Sequence, residues 1–400
     1  FECYKELRAK KAGREDILHA IAKIPGMYVP SMYEAAYNDD GTLASFTPLY
    51  EDVPRTVTKE VVMDFNDVSY PEKPLVPFIH VTQDRVTLEI MRGCIRGCRF
   101  CQAGMIYRPT RQKDVNLIKE YATHMIRSTG HEEISLSSLS SSDYECLKEF
   151  TYFLIDEMGS QHVNISLPSL RIDAFSLDVM KKVQDIKKSS LTFAPEAGTQ
   201  RLRDAINKNV REEDLLESCR VAFSGGWNGV KLYFMLGLPT ETDEDVVGIA
   251  ELAKKVLWCW KQNASNKSHG VRITVSTSDF IPKPHTPFQW EAKIPREESL
   301  RRVNLLTDAL KSARAITYNW HDSDTSVIEA VLARGDRRLC AVIEEVWRQG
   351  GRLESWTEFF SLQRWYDAME KFGLDPAFYA FRERPVDELL PWEHMDMGVT

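Results

Sequence analysis

From Val86 onward the chain alternates short apolar runs with amphipathic stretches, and that alternation limits its fold more than any other feature. Runs rich in aliphatic and β-branched residues lie at 86–90, 133–137, 163–167, 190–193, 230–235 and 271–277. Between them, at 115–128, 144–158, 176–186, 200–206 with 212–223, and 242–260, apolar residues recur at helical spacing. Connections of this length, each containing a helix, join parallel strands, whereas antiparallel neighbours need only a tight turn. The spacing predicts an α/β fold, a partial (β/α)6 barrel over 83–312, with functional groups on the loops that follow the C-terminal strand ends.

The flanks read differently. Residues 1–82 form a mixed α/β preamble: a helix-like stretch from Arg14 to Ile24, a turn at Asn38-Asp-Asp-Gly41 that reads as a hairpin, then Pro48, Pro54, Pro71, Pro74 and Pro77, which favour extended, loop-rich backbone. Residues 313–400 read as a mostly helical cap, with helices near 326–332, 338–349 and 362–372 and with Trp347, Trp356, Trp365 and Trp392 as its core. At 43% hydrophobic and 28% charged the chain has the make-up of an ordinary globular protein. No apolar run approaches the roughly 18 residues that span a bilayer, so a membrane partner is not expected. The net charge of −8 gives no overall case for nucleic-acid binding. The chain opens on Phe1 and reads as a segment of a longer protein.

Directly after the first strand comes Glu89-Ile-Met-Arg-Gly-Cys94-Ile-Arg-Gly-Cys98-Arg-Phe-Cys101. Soft thiolates crowded this closely suit iron–sulfur clusters or zinc. Closed structural sites normally take four protein ligands, so three on one loop leave a metal position open to something that is not protein. The competing reading is a non-catalytic, zinc-stabilised module completed by His80 or Cys146. The other five cysteines are scattered singly, as in a reduced, cytoplasmic protein rather than a disulfide framework. Arg92, Arg96, Arg99, Arg108, Arg111 and Lys113 surround the loop, either offsetting the thiolates, meeting an acidic electron donor, or forming a solvated face.

The C-x3-C-x2-C spacing, with Phe100 just before the third cysteine, resembles the radical S-adenosylmethionine (SAM) enzymes. That resemblance implies that Cys94, Cys98 and Cys101 each hold one iron of a 4Fe-4S cluster whose fourth iron is chelated by SAM. It implies reductive cleavage of SAM to a 5′-deoxyadenosyl radical that abstracts hydrogen from a substrate. Other strand ends carry the remaining motifs loosely. Ser137 and Ser138 stand where the family often has a glycine-rich turn for the SAM amino group, with Asp143 as an alternative helix cap. Glu196, in Ala194-Pro-Glu-Ala-Gly198, matches the ribose-binding position, and Lys208 the carboxylate-binding one. Met235 and Gly237, in Met235-Leu-Gly-Leu-Pro239, match the adenine side. Arg171, after the third strand, reads as a ligand contact or as an ion-pair partner of Asp173. Thr242 with Asp245 reads as a capping box.

More closely, Arg-Gly-Cys-x-Arg-Gly-Cys-Arg-Phe-Cys-Gln-Ala-Gly, Ile-Ser-Leu-Ser-Ser-Leu-Ser-Ser-Ser-Asp-Tyr and Ala333-Arg-Gly-Asp-Arg-Arg-Leu339 are similar to a bacterial radical SAM group of unassigned function with an upstream cobalamin-binding-like domain. No Asp-x-His-x-x-Gly cobalamin signature occurs here, so cobalamin is not supported by this chain. The partners implied are an electron donor such as flavodoxin or ferredoxin, iron–sulfur assembly proteins, and an unknown substrate. A methyl- or methylthio-transferase acting on tRNA, rRNA or ribosomal protein is the narrower variant. His321 and Asp322 read first as structural and second as an acid–base pair at the barrel mouth.

Overall fold

The computed structural model describes residues 1–158, 163–166, 191–268 and 270–398. The segment 176–186, Arg171, Asp173 and the start of the run at 190 lie outside the described residues. The backbone clusters into two compact units. One holds Phe1–Val62, Pro282–Ala292 and Ala330–Thr400; the other holds Met63–Ile281 and Lys293–Glu329.

The second unit contains the parallel strands: β1 (Val86–Glu89), β2 (Glu133–Ser137), β3 (Asn164–Ser166), β4 (Leu191–Glu196), β5 (Gly229–Leu236), β6 (Arg272–Asp279) and β7 (Ile316–Trp320). β1, β2 and β3 form one parallel sheet in chain order, and β4, β5, β6 and β7 another. The helices between them are α1 (Gln102–Ile106), α2 (Val115–Thr129), α3 (Leu147–Met158), α4 (Gln200–Ala205), α5 (Glu212–Ser224), α6 (Asp243–Asn263) and α7 (Arg296–Leu310). Strict alternation along β5 sends Val230, Leu232, Phe234 and Leu236 into a core with Leu215 and Cys219 of α5, Val246 and Ile249 of α6 and Leu306 of α7. Its opposite face carries Lys231, Tyr233 and Met235, and by register Thr274, Ser276 and Ser278 of β6 share that polar face. The expected run of strands is met and extended: β7, Ile-Thr-Tyr-Asn-Trp, is a parallel strand that sequence reasoning passed over, because as an edge strand it is half-exposed and polar.

In the first unit the Asn38–Gly41 turn does join a hairpin, Tyr33–Tyr37 with Leu43–Pro48. Its helices Glu2–Ala9 and Arg14–Ala22 precede the hairpin, and Val57–Thr58 pairs in parallel with Met395–Asp396. The Arg334-Gly-Asp-Arg-Arg338 stretch is the clasp of this unit. Arg337 donates to the carbonyls of Tyr33 (2.8 Å) and Pro30 (3.1 Å), and Arg338 donates to Gly41 O (2.8 Å) with its guanidinium 3.8 Å from the Tyr37 ring centroid. Arg334, fully buried, donates to the carbonyls of Tyr379, Ala380 and Arg382, each at 2.9 Å. The expected tryptophan core is half right. Trp365 and Trp392 are buried, but Trp347 is 54% and Trp356 61% exposed. The helix Leu339–Arg348 buries Leu339, Val342 and Val346, and its 3.6-residue period turns Trp347 to the other side.

His394 stacks on Phe46, with ring centroids 4.2 Å apart, and its Nε2 is buried without a partner. Burial, with Arg337 and His285 nearby, pushes the imidazole down to about 4. The folded value lies below the unfolded value of about 6.5. Its stabilising share is therefore complete above that value and is lost as pH falls towards 4. At pH 5 the loss should reach about 2 kcal/mol. Urea midpoints measured between pH 7 and 5 should fall, and His394→Phe should flatten that part of the slope. Among the described residues no helix is long and apolar enough to cross a membrane.

Candidate functional site

The cysteine loop begins where β1 ends. Ile90 N donates to Ser137 O at 3.1 Å, and Met91–Arg92 pairs antiparallel with Arg111–Gln112. Gly93 then turns at φ +84°, and a Cβ there would meet Tyr107 O at 2.7 Å, so glycine alone fits. None of Cys94, Cys98 and Cys101 is in a disulfide; Cys98 is buried and the others are half-buried. Cys101 caps α1, its Sγ accepting from Gly104 N at 3.4 Å. An N–H···S bond of this kind lowers the electron density of a ligating sulfur.

Two anchors hold the loop. On one side Arg96 grips Asp143 with both nitrogens of its fork, Nε at 3.0 Å from Oδ2 and Nη2 on Oδ1. Ser140 Oγ adds a bond to Asp143 Oδ2 at 2.7 Å, and Ser138 Oγ lies 3.0 Å from Ser141 Oγ. Asp143 is therefore a partner of the cysteine loop, four residues before the next helix starts at Leu147. Ser137 sits exposed at the end of β2. On the other side Arg99 N donates to Ile206 O at 3.0 Å, its Nη1 donates to Ala205 O at 2.6 Å, and Asn207 Nδ2 donates to Gly97 O at 2.8 Å. The remaining basic residues also bond locally: Arg92 to Glu89, Arg108 to Arg96 O, Arg111 to Pro109 O and Lys113 to Phe65 O.

The fourth strand ends in a distortion. Register slips between Leu232 and Phe234 opposite β4, and Glu196 takes φ +68°, rare for a residue with a side chain. Lys208 Nζ lies 2.9 Å from Glu196 Oε1 and 5.9 Å from the Phe100 ring centroid. Three candidates chosen from distant parts of the sequence thus stand together. Behind them Gly198 packs so tightly on α6 that a Cβ would come 2.3 Å from both Asp245 O and Ile249 N. Asp245, buried, collects bonds from Thr199, Arg201 and Thr242, and so ties the fourth-strand turn to the fifth; the Thr242 capping box is present as expected. Gly237, at φ +83°, donates its N–H to Glu241 Oε2 at 2.6 Å, and a Cβ there would strike Ile294 at 2.8 Å. The turn itself demands that glycine. Met235 is half-buried on the polar face of β5.

His321 and Asp322 bond to side-chain and backbone groups at the start of the next helix. His321 Nδ1 lies 3.1 Å from Ser326 Oγ, and Asp322 Oδ1 accepts from Thr325 N at 2.8 Å, opening the helix Ser323–Arg334.

Residues 88–253 match the Radical SAM superfamily. The chain carries a radical SAM domain. Members of that superfamily use a 4Fe-4S cluster and SAM. The chain is 36% identical over 257 residues to a Methanocaldococcus jannaschii protein of uncharacterized function, covering 64% of this chain and 53% of that one. It is 26% identical over 190 residues to a protein from the same organism named as a methylthiotransferase, covering 45% and 42%. The chain thus spans about half the length of these curated relatives. A structure of Streptococcus suis SuiB bound to S-adenosylmethionine aligns over 60% of this chain and 50% of that one, at 10% identity and a TM-score of 0.42. That likeness is too slight to carry an argument.

Cys94, Cys98 and Cys101 share one loop and the Cys101 Sγ already accepts an N–H bond, but among the described residues no three His, Cys, Asp or Glu side chains are gathered closely enough to hold a metal ion. Sequence reasoning missed Arg96 with Asp143, Asn207 and Asp245 as the groups that set the loops. Local signals existed for Asp245, as a capping-box residue, and for Asn207, an asparagine directly after a helix end.

Proposed function

We propose that the protein is a radical SAM enzyme in which Cys94, Cys98 and Cys101 bind a 4Fe-4S cluster, with SAM held beside Phe100, Ser137, Ser138, Glu196, Lys208, Met235 and Gly237. The observation that carries this reading is the convergence of Phe100, Glu196 and Lys208 on the turn that also grips the cysteine loop. When bound, the cluster and SAM supply a one-electron cleavage of a carbon–sulfur bond, giving methionine and a 5′-deoxyadenosyl radical that takes hydrogen from substrate. The chain's own residues bind and orient. Lys208, now bonded to Glu196, offers its ammonium to a carboxylate; Glu196 offers its carboxylate to hydroxyl donors; Gly237 holds the fifth-strand turn close to the site. The polar face of β5 and β6 is the surface on which a substrate would lie.

A methyl- or methylthio-transfer to RNA or protein is the second reading, favoured by the methylthiotransferase relative. An electron donor such as flavodoxin or ferredoxin, iron–sulfur assembly proteins and a cytoplasmic setting complete the proposal, as does a partial barrel formed by the parallel strands. The test is anaerobic reconstitution with iron and sulfide. A brown protein with about four irons per chain that yields methionine and 5′-deoxyadenosine on reduction with SAM supports the reading. A colourless protein holding one zinc and indifferent to SAM would sink it.

The strained backbone at Glu196 yields a sharper expectation. Glu196→Ala and Glu196→Gly remove the same carboxylate, and both should weaken SAM binding equally in equilibrium dialysis. Glycine also relieves the left-handed conformation, so the glycine variant should be the more stable by about 1–2 kcal/mol in urea. Equal stabilities would show that the backbone is not strained there.

A further inference from the structure

The geometry points to Asn207 as a positioning residue that couples the cysteine loop to the Glu196–Lys208 pair. It stands at the end of α4, where Ile206 is the cap and Asn207 turns to φ +53°. Asn207 N donates to Asp204 O at 3.0 Å and Lys208 N to Arg203 O at 2.9 Å, the paired bonds of a Schellman helix ending. Asparagine is among the few side-chain residues that enter this left-handed region readily. The helix would end equally well on glycine, so the amide side chain needs another explanation.

That explanation lies across the loop. Asn207 Nδ2 donates to Gly97 O at 2.8 Å, one residue before Cys98. The orientation of the amide follows from its other end, where Oδ1 accepts from Asn209 Nδ2 at 3.3 Å. A Cβ on residue 97 would come 2.9 Å from Asn207 Nδ2, so the glycine there admits the amide. Beside this bond the last carbonyls of α4, at Ala205 and Ile206, accept from the Arg99 side chain and backbone. The ends of the same turn therefore hold both sides of Cys98, while the next residue, Lys208, reaches Glu196. A shift of the cysteine loop passes through one residue to the pair proposed to meet SAM. This inference rests on the proposed function for what is positioned, but not for the tether itself.

Asn207→Gly tests it, because glycine keeps the helix ending and deletes only the amide. The urea midpoint should stay the same or rise. In reduced, iron-free protein, alkylation of Cys98 by iodoacetamide, followed by peptide mass spectrometry, should run about fivefold faster, since one hydrogen bond no longer opposes loop opening. Alkylation of Cys146 should not change. In cluster-loaded protein, the SAM concentration that half-maximally perturbs the electron paramagnetic resonance spectrum of the reduced cluster should rise about fivefold. An unchanged Cys98 rate in a variant of normal stability overturns the tether. A faster rate with unchanged SAM half-saturation overturns the coupling. A wild-type protein that takes up no iron overturns the functional reading instead, and the alkylation ratio then still decides the tether.

Discussion

Cys98→Ala is expected to strip the reconstituted protein of its iron–sulfur absorbance and to lower reductive SAM cleavage by more than about a hundredfold, a loss larger than removal of a supporting residue produces. Cys98 is the buried member of the triad, and its backbone neighbours are gripped by Asn207 and by the end of α4. A missing sulfur there cannot be replaced by a small shift of the loop. Cys146→Ala is the control. That thiol packs against the core of the three-stranded sheet, so its removal should cost some stability and leave iron content and SAM cleavage intact. Iron counts and 5′-deoxyadenosine yields decide the matter. If Cys146→Ala alone lost its iron, the ligand set would be wrong.

Arg334→Leu is expected to lower stability by about 3–5 kcal/mol, read as a fall in the urea midpoint. Two effects oppose each other. Burial beside Arg384 and Arg382 pushes the guanidinium down to about 9, so removing that charge relieves a desolvation cost. Removal also takes the Arg334 donors from the carbonyls of Tyr379 and Ala380, which are buried, and of Arg382, which is partly so. Each orphaned carbonyl costs about 1–3 kcal/mol, and together they outweigh the relief. Arg334→Lys separates charge from geometry. A single ammonium cannot span the positions that the planar fork reaches, so lysine should rescue little. Full rescue by lysine would show that only the charge matters.

Much of the second unit was legible because its signals are local. Its strand positions and the Thr242–Asp245 capping box depend on neighbours a few residues away, as does the Asn38–Gly41 hairpin turn of the first unit. β7 was missed because an edge strand with one partner needs no apolar face. The tryptophans were misjudged in part because composition cannot show which side of a helix a ring leaves from, and Trp347 leaves from the side opposite Val342 and Val346. Gly237 was matched to the adenine side from its place in the motif, and its φ and the contact with Ile294, which only the folded chain shows, require glycine as well.

The cysteine loop shows where the division falls. Its spacing alone set the expectation of a metal site: three soft donors within eight residues, directly after a strand, are a donor set that such sites use whatever surrounds them. Only the tertiary structure decided what holds the loop. Arg96 finds Asp143 47 residues away, Asn207 finds Gly97 110 residues away, and in the first unit Arg337 finds Tyr33 304 residues away. Such pairs carry no periodic or local signature, because they arise only after strand order and helix packing have closed the long loops between them.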